Sequence, residues 1–257
     1  MPIDESILQA LETTSIERLE SCETQREQLG RPTPQELYWG GYADAILQLQ
    51  GKLTRSNLDW LSDGIARMFT KQEVQKRITE SILSCDACSL CKGRTQAVPG
   101  TGPLWTPLAV IGEAPGAEED VTGIPFCGKS GQLLFSSDGL IPSVLGYQRE
   151  HILIRNVCCC RPPGNANPDT EQILSCASYL RSSLLNVYPK VILSVGVTPT
   201  SWFYGEQIAI GDVRGKVFYW EGIPVVPTYH PAYLLRNSNA THIVQDDLKV
   251  LGDILRG

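Results

Sequence analysis

Thiols, carboxylates, one amide and one imidazole are gathered in this sequence into short, separated motifs. Nine cysteines are present: Cys22 and eight between Cys85 and Cys176. An odd, clustered set in a chain without secretory features points to metal rather than to disulfides. Cys85-x2-Cys88 is followed by Cys91, and Cys158-Cys159-Cys160 is followed after fifteen residues by Cys176. Four soft thiolates hold either zinc or an iron–sulfur cluster, and the spacing alone does not choose between them. Cys127 and at least one of Cys158 and Cys159 read as ordinary strand or pocket residues. Cys91 can stand in for either member of the first pair.

The carboxylates lie in Ile111-Gly112-Glu113-Ala114-Pro115-Gly116-Ala117-Glu118-Glu119-Asp120. Glu118 and Asp120 suit an acidic helix N-terminus, where carboxylates favour the dipole. Glu113 is different, because it sits between glycines at a strand tip, where a loop can approach a ligand closely. Thr122-Gly123-Ile124-Pro125-Phe126 presents an aromatic ring on a stiff turn beside that loop, a place from which it could stack on a base. Asn156 ends a β-branched strand and carries both donors and an acceptor, enough to read a base edge. Of three histidines, His230 stands out in Pro227-Thr228-Tyr229-His230-Pro231, with Leu234, Leu235 and Arg236 just beyond. Apolar side chains there can wedge into a base stack while the arginine holds phosphate.

These motifs need a scaffold that brings loops together. Apolar runs at Leu108–Ile111, His151–Val157, Val191–Val195 and Ile223–Val226 end in polar or glycine-rich turns, and helix-like segments near 131–145 and 169–187 separate the first three. The alternation predicts an α/β fold, a central mostly parallel four-stranded sheet covered on both faces. In such sheets function collects after the carboxyl ends of the strands. The Gly112–Gly116 loop, the Asn156–Asn165 segment, Gly196 onward and Tyr229-His230-Pro231 all fall there.

Residues 1–80 read as a helical N-terminal extension. Thr33-Pro34-Gln35-Glu36 resembles a capping box opening a helix to about Leu49, and Ser56–Asp59 offers a second start before Trp60, Leu61 and Ile65. The extension carries no catalytic motif. It suits a small helical appendage or a docking module, and nothing in it identifies a protein partner. Residues 81–257 form the second expected unit. The net charge of −6 argues weakly against nucleic acid, but it is uneven. There are 9 Lys/Arg against 13 Asp/Glu in residues 1–80, and 13 against 15 in residues 81–257. Only charges near phosphate matter at physiological salt, so a groove in the second unit can still be locally basic. No apolar run approaches the roughly 20 residues needed to span a bilayer. The amino-terminal residues lack a signal-peptide pattern. The expectation is a soluble, cytoplasmic protein with no membrane partner.

Taken together and in this order, the motifs resemble family 4 of the uracil-DNA glycosylases, the iron–sulfur branch of that superfamily, over roughly residues 82–256. The matching stretches are Cys85–Cys88 leading into Gly93-Arg94-Thr95, the Gly112–Asp120 loop, Gly123–Gly131, Asn156–Pro163 and His230–Asn237. The resemblance implies a three-layer α/β/α sandwich. It implies a 4Fe–4S cluster on Cys85, Cys88, Cys160 and Cys176, which demotes Cys91. It also implies catalytic roles for Glu113, Glu119 and His230, base contacts from Ala114, Phe126, Asn156 and Asn165, and DNA contacts from Leu234, Leu235 and Arg236. The implied activity is hydrolysis of the N-glycosidic bond of a flipped-out base in single- or double-stranded DNA, uracil first, to leave an abasic site. Such an enzyme would be nucleoid-associated. Glu113 would position water, His230 would stabilise the leaving base, and Glu119 would orient His230 by a hydrogen bond. The extension lies outside the family core, and Cys127 and Ser130 stand where Val and Ala are often found. Cys158 and Cys159 are also unusual. These departures leave room for a modified or damaged pyrimidine as target. A catalytically silent DNA-binding relative or an iron–sulfur electron carrier would not need the whole motif set.

Overall fold

The computed structural model describes residues 71–256. The expected helices around 33–49 and 56–65 lie outside the described residues. Among those described, helix α1 (Lys71–Leu83) leads to strand β1 (Leu108–Gly112) and the short helices α2 (Ala117–Thr122), α3 (Lys129–Phe135) and α4 (Leu140–Leu145). Strand β2 (Leu153–Asn156), helix α5 (Thr170–Val187), strand β3 (Val191–Val195) and helices α6 (Val197–Tyr204) and α7 (Ile210–Val213) follow. Strands β4 (Phe218–Trp220) and β5 (Ile223–Thr228) then precede helices α8 (Pro231–Arg236) and α9 (Thr241–Arg256).

The sheet order is β2-β1-β3-β5-β4. The four anticipated runs pair in parallel, with Gly112 opposite Asn156, Ile111 opposite Ser194 and Val195 opposite Thr228. Strands β1, β2 and β3 are buried along their whole length, as expected of strands covered on both faces. Side chains alternate between the two faces. Ala109 and Ile111 pack with Ile82, Leu180 and Leu184 from α1 and α5. Leu108 and Val110 pack with Leu134, Ile141, Val244 and Leu248 from the helices of the opposite layer. This is the three-layer sandwich.

Two details differ from expectation. The sheet has a fifth strand, β4, antiparallel to β5 across a two-residue turn with positive φ at Glu221 and Gly222. That is the mirror-image turn favoured in tight hairpins. Non-glycine Glu221 is unusual there; its carboxylate is buried and ion-paired with Arg181, whose guanidinium also lies over the Trp220 ring. Helix α1 runs across the expected boundary at residue 80 and packs on α5. Lys71 Nζ donates to the Val187 carbonyl at 3.0 Å, and Asn186 Nδ2 donates to the Lys71 carbonyl at 2.9 Å.

Beneath the end of β5 lies a buried ion pair. Asp247 of α9 accepts from Thr228 Oγ1 at 2.7 Å and from Arg214 Nε at 3.1 Å. Burial pushes the Asp247 carboxyl up, and the Thr228 and Arg214 donors oppose that shift. The Arg214 guanidinium also lies over the Tyr229 ring, so the pair braces the segment that leads to His230. No helix among the described residues is long and apolar enough to cross a membrane.

Helix α8 corrects one expectation. Leu234 was expected to reach DNA, but it is only 2% exposed and sits among the core residues of the α3/α9 layer. A helix turns by about 100° per residue, so only one of two adjacent leucines can face outward. That one is Leu235, which is 52% exposed. Leu234→Ala is therefore expected to lower the unfolding free energy by about 2–5 kcal/mol in urea titrations, whereas Leu235→Ala should leave the midpoint nearly unchanged. Equal sensitivity of the two would contradict this placement.

Candidate active site

The carboxyl ends of β1, β2, β3 and β5 converge on one rim of the sheet. Gly112 ends β1 directly opposite Asn156 at the end of β2. A Cβ on Gly112 would lie 2.4 Å from Cζ of Phe126 and 2.5 Å from Oδ1 of Asn156. The glycine therefore lets an aromatic ring and an amide close over the strand tip together. Phe126 is buried and adopts a positive φ of 52°, a conformation that costs a β- or γ-substituted residue about 1–3 kcal/mol unless its surroundings hold it. Arg149, which the sequence reading did not single out, supplies part of that hold. Its guanidinium donates to the carbonyls of Phe126 (3.1 Å) and Pro125 and lies 5.1 Å over the Phe135 ring. Phe135 in turn meets the Phe126 ring edge-on at 5.7 Å.

His230 caps helix α8. Its Nδ1 accepts from the Ala232 backbone N–H at 3.2 Å. The proton of the neutral ring therefore belongs on Nε2, an assignment made from the hydrogen-bond partner. Burial, and then the Arg236 charge, push the imidazole pKa down from 6.5 to about 4, against the opposing pull of Glu119. The ring centroid lies 6.4 Å from that of Phe126. Gly196, at the end of β3 with φ +99°, backs the ring, since a Cβ there would be 3.1 Å from His230 Cβ.

The two glutamates separate in role. Glu113 follows β1, and its Oε2 accepts a hydrogen bond from Thr198 Oγ1 at the start of α6. Among the described residues, no other hydrogen bond to this carboxylate is found. Glu119 instead acts as a staple between two loops. Its Oε2 accepts from the Gly116 N–H and its Oε1 from the Gly128 N–H, both at 3.0 Å. The expected hydrogen bond from Glu119 to His230 is absent among the described residues; His230 senses Glu119 only as a nearby charge. Both Glu119 oxygens are satisfied by the first turns of α2 and α3, as helix N-termini favour. Asp120 is buried and accepts from the Thr95 N–H at 2.9 and 3.1 Å, tying Gly93-Arg94-Thr95 to the acidic loop.

The remaining expected site residues are spread more widely. Ala114 packs, half-buried, against the core beside Glu113. Asn165 is exposed on the Pro163–Asn165 turn, and its Oδ1 accepts from Arg161 Nε at 2.7 Å. Its amide oxygen thus serves its own loop, and among the described residues no hydrogen bond joins it to Phe126 or Asn156. Leu235 and Arg236 are exposed beyond His230. Tyr233, exposed on the same helix and stacked on Tyr229 at 4.8 Å, was not singled out from the sequence.

The expected cluster ligands form an electrostatically connected group of thiols. Burial pushes Cys88 up, and Cys176, Cys85 and Cys91 add to the shift. Burial also raises Cys160, against a hydrogen bond of 3.0 Å from Arg94 Nη1 to its sulfur. The neighbouring Cys158 and Cys159 thiols favour the thiolate of Cys176, while their own pKa values are raised by Cys176 and by burial. Among the described residues, no three His, Cys, Asp or Glu side chains form a group that could hold a metal ion.

A family model described as the uracil DNA glycosylase superfamily matches residues 99–249. A type-4 uracil-DNA glycosylase of Thermotoga maritima is 40% identical over 186 residues, covering 71% of this chain and 95% of that protein. The type-4 uracil-DNA glycosylase of Sulfurisphaera tokodaii is 38% identical over 187 residues, covering 70% and 84%. That of Archaeoglobus fulgidus is 34% identical over 185 residues, covering 69% and 91%. The matched region contains β1 to β5 and every residue at the strand-end rim. The chain belongs to the uracil-DNA glycosylase superfamily.

Proposed function

We propose that the protein removes uracil from DNA as a monofunctional glycosylase, hydrolysing the bond between the base and C1′ and leaving an abasic site. The observation that carries this reading is the convergence of Phe126 and Asn156 on Gly112, with a neutral, Nε2-protonated His230 beside the Phe126 ring. The names of the relatives support uracil as the target.

A base inside a duplex is out of reach, so it must be extruded, at a cost of a few kcal/mol. Leu235 would fill the vacated stack and Arg236 would pair with phosphate. The flipped pyrimidine would stack on Phe126. Asn156 would read its edge, its amide donating to a ring carbonyl and accepting from the ring N–H. As the bond to C1′ breaks, its electron pair goes to the base. His230 Nε2–H would donate to the carbonyl oxygen where that charge gathers, a preorganised donor in a dry site. Glu113 would orient the attacking water, take its proton and stabilise the cation-like sugar. Glu119 would fix the two loops that carry these groups. Asn165 would keep Arg161 in place near the DNA, and Ala114 would line the pocket. None of these side chains is a lysine, so strand cleavage through a Schiff base is not part of the reading.

Cys85, Cys88, Cys160 and Cys176 would hold a 4Fe–4S cluster. Four thiols from three segments, with an arginine donor on one sulfur, fit such a cluster, which spaces its thiolates more widely than a single ion does. When bound, the cluster would tie the first cysteine loop to the Arg161–Pro168 loop. The protein would act in the cytoplasm at the nucleoid, on DNA, with the residues before α1 as a helical N-terminal extension.

Incubation of the anaerobically purified protein with labelled duplex and single-stranded DNA carrying one uracil, followed by alkali, should give breaks at the uracil alone. His230→Ala should slow their formation by about 10²–10³-fold. Absence of breaks from the wild-type protein would overturn the reading.

The depressed His230 pKa fixes a pH dependence. Burial and the Arg236 charge keep the ring neutral down to about pH 4, and protonation would place a proton on Nδ1 and break the Ala232 N–H bond. Between the unfolded value of about 6.5 and that folded value, the unfolded chain binds more protons. Stability is therefore fully present above pH 6.5 and is lost as pH falls towards 4. Nitrogen NMR of labelled histidine should show His230 as the Nε2–H tautomer with a midpoint near 4. A midpoint near 6.5 would contradict the buried, neutral donor.

A further inference from the structure

The loop between β3 and α6 touches both reacting poles of the site, and nothing in the reading above gives it a task. Its architecture is fixed from below. Strand β3 lies between β1 and β5, so the residues after Val195 must pass between Glu113 and His230. Thr200 holds the turn in place: its hydroxyl donates to the Gly196 carbonyl at 2.7 Å and pairs with that of buried Ser194 at 2.8 Å. With that turn set, Gly196 backs the His230 ring and Thr198, two residues on, meets the Glu113 carboxylate.

We propose that Thr198 is a positioning residue for the water-handling carboxylate, a role that rests on the glycosylase reading and on Glu113 as the group that orients water. An ionised carboxylate only accepts, so the Thr198 hydroxyl is the donor to Oε2. That bond fixes the rotation of the carboxylate, turning Oε1, which accepts no hydrogen bond among the described residues, towards the water that must approach C1′. The three residues Gly196-Val197-Thr198 thereby set the spacing between the base-stabilising imidazole and the water-orienting carboxylate. The threonine touches neither water nor base; it acts through Glu113.

The test is steady-state uracil release from duplex DNA by the full-length protein, with substrate titrated to separate kcat from KM. Thr198→Val keeps the shape and removes the donor. It should lower kcat by about 10- to 100-fold with KM unchanged, and Thr198→Ala should do the same. Thr198→Ser, which keeps the hydroxyl, should restore most of the rate. In a Glu113→Ala background the Thr198→Val change should cost almost nothing further, because the interaction it breaks is already gone. Circular dichroism melts establish that each variant is folded. A Thr198→Val rate equal to wild type, or the same loss in both backgrounds, would overturn the role of Thr198 alone. Full activity of Glu113→Ala would overturn the role of Glu113 as well.

Discussion

A methyl group on Gly112 would collide with both the Phe126 ring and the Asn156 amide, and the rest of the site is arranged around that close approach. Three long-range features must agree for it to occur. The β1–β2 register must bring Asn156 level with Gly112. The loop after α2 must fold back so that a phenylalanine with positive φ lies over the strand tip. The carbonyls that this turn exposes must find donors, and Arg149 provides them from the segment before β2. Each is a backbone condition, so the pocket is set by the sheet and its loops rather than by freely rotating side chains. Such preorganisation suits a reaction in which charge develops on a leaving base, because the stabilising dipoles need not move as it forms.

Electrostatics at the rim follow from burial. His230 is a poor proton acceptor because it is desolvated, close to Arg236 and committed at Nδ1 to a backbone N–H. It is then a donor at Nε2 through the neutral pH range. The negative charges around it are divided. Glu119 is spent on two helix N-termini, while among the described residues one oxygen of Glu113 accepts no hydrogen bond. Below, the Asp247–Arg214 pair ties the carboxyl end of β5 to α9 and braces Tyr229 next to the histidine. A buried ion pair adds little net stability by itself, but breaking one partner leaves the other charge stranded. It therefore resists movement of the loop it supports.

The sandwich was legible because its parallel strands are nearly continuous apolar runs ending in glycine-rich turns, a pattern that few other folds produce. The edge strand was not, since three residues joined through a Glu-Gly turn look like loop. Glu113, Asn156 and His230 could be named because each sits at a strand end, where the fold leaves little choice of direction, and Phe126 because it follows a stiff Gly-x-Pro turn beside the acidic loop. The finer assignments needed three dimensions. Leu234 and Leu235 are equivalent as letters, and only the packing of α8 separates them. Glu119 and Glu113 differ in which backbone groups surround them. Thr198 lies 85 residues from the carboxylate it meets, and a lone threonine after a strand gives no sign of that contact. Asn165 lies just beyond the Asn156–Pro163 stretch that resembles the family's, and its side chain is taken by Arg161.

The central claim is that the flipped base is held between Phe126 and Asn156 over a bare Gly112. Uracil release by Gly112→Ala under single-turnover conditions tests it most directly, with the melting curve and visible absorbance recorded alongside. A displacement of the ring or amide by about an ångström should lower the rate by about 10²-fold, with the fold and any bound chromophore retained. A folded Gly112→Ala protein that releases uracil at the wild-type rate would place the base elsewhere and contradict the account.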